Sequence, residues 1–403
     1  MLNFKLPRTN IRLYEDIRCT RQNDNNNDNK KGGLNPIIGT RNIYIDNIIN
    51  QINYFKYWDI VNHICYPYEF IGDVVKTTSQ DVQSNHFFSL RYAMHLELHH
   101  FIKHEILHTN IAIKTLVFYG DDKYNLNGMN YLKSESDDNT HICINYDSTN
   151  INKILSKNFA SIDHIVIGSH SVDDNEADYA RISYISVLYA LCFQKYNGSS
   201  LIKLYNIDTP LSIGILGILS SMYLEVHLIK PMTSKSDSSE IFVVCKNFLH
   251  KNSNMFYTKF MNIIRNLTEN EISKLPSGLR SKETTDKIDY EYKIFLGGEI
   301  NLQLINKINE FSIIFYQRRL EYIHTILNTS FIQYQQSQSH SQSYVKFSVN
   351  ENNTKINAII KNNIQKCLEW ISKYHKTIHI NLSTEINTIV LRHLNDITSR
   401  IDL

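Results

Sequence analysis

The sequence predicts an α/β protein, a sheet of alternating strands and helices followed by a helical extension. Three observations carry this. Between residues 70 and 248, short apolar runs alternate with stretches of helical spacing, the pattern of strands joined by crossover helices. After Phe248 the period-two runs give way to helical patterns. The length, 403 residues, is enough for a full core, and 42% hydrophobic and 20% charged residues are ordinary for a globular chain.

Residues 1–50 read as an N-terminal extension, in which 21–33, RQNDNNNDNKKGG, form a disordered Asn-rich loop. The core is expected at 51–250. Phe70–Val75 reads as its first strand, His86–His108 as a long helix and Ile111–Tyr119 as a strand. His141–Tyr146 and His164–Gly168 are short apolar strands. Ala177–Lys195 has helical spacing, with Tyr184, Val187, Leu188 and Leu191 on one side. Ser200–Tyr205 is a strand, and Thr209-Pro210 open a helix to Tyr223. Glu225–Ile229 and Ile241–Lys246 complete the sheet. A helical extension follows at 251–332, with a capping box at Thr268-x-x-Glu271 and a long helix at Gly298–Ser330. Residues 333–343, QYQQSQSHSQS, read as a low-complexity linker to a tail at 344–403, helical over Asn353–Lys373.

The net charge of +2 gives no overall electrostatic footprint for nucleic acid, so any such contact rests on a local patch. Cys19, Cys65, Cys143, Cys192, Cys245 and Cys367 are scattered without a CxxC pair, which fits reduced thiols in the cytosol. The opening MLNFKLPRTN lacks the apolar run of a signal peptide, and Pro210–Val226 is too short and interrupted to span a membrane. The expectation is a cytoplasmic protein with no membrane partner. The wealth of Asn, Ile, Lys and Tyr is the bias of an AT-rich genome and suggests a viral or protist source.

Gly198–Phe248 reads GSSLIKLYNIDTPLSIGILGILSSMYLEVHLIKPMTSKSDSSEIFVVCKNF. Lys203, Thr209-Pro210, Ser212, Glu225, Lys230-Pro231, Thr233-Ser234, Ser239-Glu240 and Cys245-Lys246 are an ordered series. It resembles the C-terminal half of the catalytic domain of FtsJ-like cap-specific mRNA 2′-O-ribose methyltransferases. The resemblance implies a Rossmann-like fold, S-adenosylmethionine as cofactor and capped RNA as partner. Protein partners of a capping or transcription complex are also implied. Large cytoplasmic DNA viruses carry such proteins, which extends the expected location to a viral factory or virion. A ribose hydroxyl is a poor nucleophile until its developing charge is stabilised, which a desolvated lysine held by carboxylates can do. The family uses a Lys-Asp-Lys-Glu tetrad. By motif position Lys203 is its second lysine and Glu240 its glutamate, and Lys56 is the best candidate for the first. Lys230, Lys235 and Lys246 would meet RNA phosphates.

The chain departs from the pattern in two places. Ser169 stands where the aspartate belongs, with Asp173 and Asp174 four and five residues on. Taking 70–75 as the first strand puts Gly72 at the cofactor and makes 76–87, KTTSQDVQSNHF, the cofactor loop, which has no glycine for close backbone approach. Asp121 would face the cofactor ribose and Asp147 its adenine. These departures predict impaired or lost S-adenosylmethionine binding and a role as an RNA-binding or scaffold subunit, a pseudoenzyme. An active cap methyltransferase is the competing reading. A remoter one, a zinc-dependent hydrolase, rests on His104-Glu105-Ile106-Leu107-His108, an HExxH match in which the two histidines would share the metal and Glu105 act as base. Because the segment is already rich in histidine and offers no third ligand at a recognised spacing, a solvated face is the ordinary reading of His100, His104 and His108, and no catalytic metal is expected.

Overall fold

The computed structural model describes residues 1–9, 18–22, 58–78, 90–106, 114–119, 140–145, 160–168, 176–205, 210–251, 291–295, 301–338, 349–374 and 389–393, with Ile207, Thr258 and Phe260. Its strands in chain order are β1 (Leu2–Lys5), β2 (Arg18–Gln22), β3 (Lys114–Tyr119), β4 (Thr140–Asn145), β5 (Ile162–Ile167), β6 (Gln194–Tyr205), β7 (Tyr223–Lys230), β8 (Glu240–Phe248) and β9 (Glu291–Phe295). Its helices are α1 (Trp58–Cys65), α2 (Ile71–Thr78), α3 (Leu90–Ile106), α4 (Glu176–Phe193), α5 (Pro210–Met222), α6 (Leu302–Gln338) and α7 (Val349–Tyr374).

Two compact units divide the chain. The first comprises 1–40, 110–230 and 240–313; the second comprises 41–109, 231–239 and 314–403. The first holds a seven-stranded sheet of order β1-β7-β8-β6-β5-β3-β4. β4, β3, β5 and β6 run parallel, while β8 is antiparallel to β6 and β7, and β1 to β7. This is a Rossmann-like α/β fold. Helices α4 and α5 pack on the sheet, and β2 pairs with β9 in a separate ribbon. The stripe expected on α4 is its buried face, with Tyr184, Val187, Leu188 and Leu191 all at 0% exposure. Helix α5 is apolar nearly all round and buries Ile213, Ile215, Leu216, Ile218, Leu219 and Met222.

β6 enters the sheet irregularly. Ile162 pairs with Gln194 but His164 pairs with Ser199, so residues 195–198 bulge out between them. Asn197 turns through the left-handed region at φ 62°. A Cβ on Gly198 would stand 2.0 Å from Gln194 Nε2 and 2.8 Å from two backbone carbonyls, so only glycine fits.

The second unit is helical. Helix α7 packs against α1, α2 and α3, and Val61, Ile64, Phe70, Ile102, Ile360, Ile364 and Ile371 lie in its core. Glu97 of α3 is buried and accepts hydrogen bonds from Met232 N (2.9 Å), Thr233 N (3.3 Å), Thr233 Oγ1 (3.1 Å) and Trp370 Nε1 (3.4 Å). The Thr-Ser loop of the motif is therefore pinned by one carboxylate.

Four expectations are corrected. Residues 71–78 are helix, not the first strand: Phe70, Ile71, Val74 and Val75 are buried at spacings of one, four and five, and Val74 N bonds Phe70 O at 2.9 Å. Residues 1–50 are not wholly an extension, because Leu2–Lys5 form the sheet's edge strand. Arg21 and Gln22, placed in the Asn-rich loop, belong to β2. The linker at 333–343 is helical as far as Gln338, glutamine being a good helix former that lets α6 run on. The capping box at Thr268–Glu271 lies outside the described residues. No helix among the described residues is long and apolar enough to cross a membrane.

Candidate active site at the carboxyl edge of the sheet

In an open parallel sheet, ligands bind at the carboxyl ends of strands where the chain reverses its direction of travel across the sheet. Here the chain passes from β3 out to β4, then returns to place β5 on the other side of β3. The switch point thus lies between the ends of β3 and β5. In sequence β3 is followed by Gly120-Asp121-Asp122, which lie outside the described residues, whereas the glycine-free 76–87, expected to be the cofactor loop, begins inside α2. Gly72, in α2, has no place at such a turn.

β6 brings Lys203 to the same edge. Ile167 of β5 pairs with Ile202, so Lys203 stands level with Gly168, one residue beyond the end of β5. Across the sheet Lys203 pairs with Phe242 and Tyr205 with Glu240. Side chains alternate with period two, so all four share one face, with Lys203 and Glu240 diagonal neighbours. Lys203 Nζ lies 2.7 Å from Glu240 Oε2, with side-chain exposures of 16% and 13%. The same Nζ is 5.0 Å from the centre of the Tyr205 ring and 5.9 Å from that of Phe242. Burial disfavours the Lys203 ammonium, but the Glu240 carboxylate and the Tyr205 phenol outweigh it. The pKa of Lys203 is raised above the ordinary lysine value. A shielded cation is held where the fold presents its ligand edge.

The other predicted residues fall less simply. Lys56, Asp121, Asp147 and Ser169 lie outside the described residues, as do Asp173 and Asp174. Lys230 and Lys246 are corrected as phosphate contacts: both are buried, at 7% and 3% exposure. Lys230 ends β7 and donates to the Glu240 carbonyl at 2.9 Å, while Lys246 sits opposite Glu225 in the β7–β8 register. Lys235, in the second unit, is 46% exposed, with Nζ 3.8 Å from Glu69 Oε2. His104 belongs to α3, and His108 lies outside the described residues. Sequence reasoning missed Tyr205 and Phe242. The signal for Tyr205 was present, two residues from Lys203 on a strand.

Known proteins with detectable similarity point one way. A stretch of 76 residues, 19% of this chain, is 34% identical to cap-specific mRNA (nucleoside-2′-O-)-methyltransferase 2 of Drosophila melanogaster. A stretch of 108 residues, 25% of the chain, is 32% identical to cap-specific mRNA (nucleoside-2′-O-)-methyltransferase 1 of Leishmania braziliensis. The similarity is to cap ribose methyltransferases. A stretch of 66 residues, 16% of the chain, is 38% identical to a Caenorhabditis briggsae protein described as an inactive cap-specific mRNA (nucleoside-2′-O-)-methyltransferase 1B. The matches span only 11% of the fly protein, 27% of the Leishmania protein and 8% of the worm protein. No family model matches the chain.

Proposed function

We propose that the chain binds capped RNA and methylates a ribose 2′-oxygen, with Lys203 as the group that stabilises the reacting oxygen and S-adenosylmethionine as methyl donor. The observation that supports this most is the shielded Lys203–Glu240 pair at the sheet's carboxyl edge, beside the switch point. Bound there, the cofactor would supply a methyl group on a sulfonium leaving centre. Its holders would come from the segments that follow β3 and β5. Lys203 does the work that belongs to the protein. With its raised pKa it is an ammonium at neutral pH, so Nζ donates a hydrogen bond to the 2′-oxygen and offsets negative charge as the hydroxyl proton leaves to water. Glu240 keeps that ammonium in place, and the limited exposure of the pair strengthens its field.

A second reading, an RNA-binding or scaffold subunit without transfer, is favoured by Ser169. A serine brings no negative charge to the position where the resemblance expects aspartate. Protein partners in a capping or transcription complex and a cytoplasmic, viral-type setting belong to either reading. The test is transfer of a radiolabelled methyl group to capped RNA, with calorimetry of cofactor binding beside it. Transfer by the wild type that falls about 10²–10³-fold in Lys203→Ala supports the enzyme. RNA binding with no cofactor heat and no transfer supports the scaffold. Transfer undiminished in Lys203→Ala would sink the assignment of the site.

A further inference from the structure

Lys203 is held from two directions, and only one of its holders belongs to the motif that drew attention to it. Tyr205 is the next residue along β6 on the same face and the register partner of Glu240. Its ring centre lies 5.0 Å from Lys203 Nζ. We propose that Tyr205 is a positioning residue for Lys203: its phenol oxygen accepts one Nζ hydrogen while Glu240 accepts another, so that the direction of the third N–H is set at the carboxyl edge. This rests on the proposed function for its bearing on methyl transfer.

Geometry supports it. The four residues make a two-by-two patch, with Tyr205 and Glu240 at the outer corners, toward the carboxyl edge, and Lys203 and Phe242 behind them. Phe242 is buried and supplies no hydrogen-bonding atom. On the other flank, β5 brings Val166 and Gly168 to this face, neither of them titratable. Glu240 and Tyr205 are the titratable groups that act most strongly on Lys203, and both stabilise its charged form. Their roles differ. A carboxylate alone draws a flexible four-carbon side chain into an ion pair directed at itself. A neutral phenol adds a second anchor without cancelling the charge that the reacting oxygen needs.

The experiment is Tyr205→Phe, which keeps the ring and removes the oxygen. Two readouts are taken: the NMR titration of Lys203 with ¹³Cε-lysine label, assigned by Lys203→Arg, and the pH profile of methyl transfer. The expected result is that Lys203 titrates at lower pH in the variant. Its kcat should fall about tenfold, the loss of one charge-assisted hydrogen bond, with KM for capped RNA unchanged. Should the wild type show no transfer, the functional reading fails by itself, and the Lys203 titration alone decides whether Tyr205 holds the lysine. A Tyr205→Phe protein whose Lys203 titrates as in the wild type overturns the proposal, with or without transfer. So does an unchanged kcat in an active enzyme.

Discussion

A lysine withdrawn from water tends to lose its proton, and Lys203 resists because a carboxylate oxygen stands 2.7 Å from Nζ. The sign of its linkage follows. A lysine whose pKa is raised on folding contributes stability that is complete below its unfolded pKa and is lost as pH rises through the folded one. The wild type should therefore lose Tm faster than Lys203→Met once pH climbs past about 10.4, while the gap between them stays constant near neutrality. Calorimetric scans across alkaline pH check this, and parallel curves would show that the ion pair contributes nothing. At this scale the sequence was legible for Lys203 and Glu240, because both sit in an ordered motif. It was not legible for Lys230 and Lys246. Nothing in a one-dimensional run of lysines says which are buried between strands.

Helix α2 shows how an element is misread. Ile71, Val74 and Val75 are β-branched and invite a strand, yet their spacing with Phe70 marks one face of a helix, and burial of that face decides. The bulge at the start of β6 carries a sharper consequence. Gly198→Ala would press a methyl group against Gln194 and two carbonyls, forcing a shift of backbone. The expected cost is about 2 kcal/mol or more, read as a drop in the urea midpoint. In the helical unit, Glu97→Ala would leave the amides of Met232 and Thr233, the Thr233 hydroxyl and the Trp370 indole without their acceptor. At about 1–3 kcal/mol per buried orphan, even partial rescue by water leaves a loss of about 3 kcal/mol. Thermal unfolding followed by tryptophan fluorescence would register it. An unchanged midpoint would mean that the loop is held by other contacts.

At the scale of the molecule, sheet closure depends on the first residues of the chain. β1 pairs with β7 and buries Leu2 and Leu6, and Leu6 N donates to Val226 O at 2.8 Å. Deleting residues 1–6 removes two buried leucines and bares the edge of β7. The expected loss is about 3 kcal/mol, accompanied by self-association through the open edge. Calorimetry and light scattering on the full chain and the deletion variant test it; a monomer of unchanged Tm would show the edge strand to be dispensable. The same pairing explains why 1–50 looked like an extension. A four-residue strand far in sequence from its partner carries no local signal of where it will pair.

The sequence by itself determined the succession of strand and helix from β5 through α4, β6 and α5 to β7, the buried stripe of α4 and the pair Lys203 and Glu240. Each is written in a local period or an ordered motif that adjacent residues enforce. Tertiary structure alone decided the order β4-β3-β5-β6, and with it which strand ends flank the switch point. It also decided the fate of Lys230 and Lys246, the pinning of the 231–233 turn by Glu97 and the approach of Tyr205 to Lys203. These depend on the register and neighbours of residues far apart in the chain, and such contacts exist only once loop closure has been compensated by the burial that non-local pairing brings.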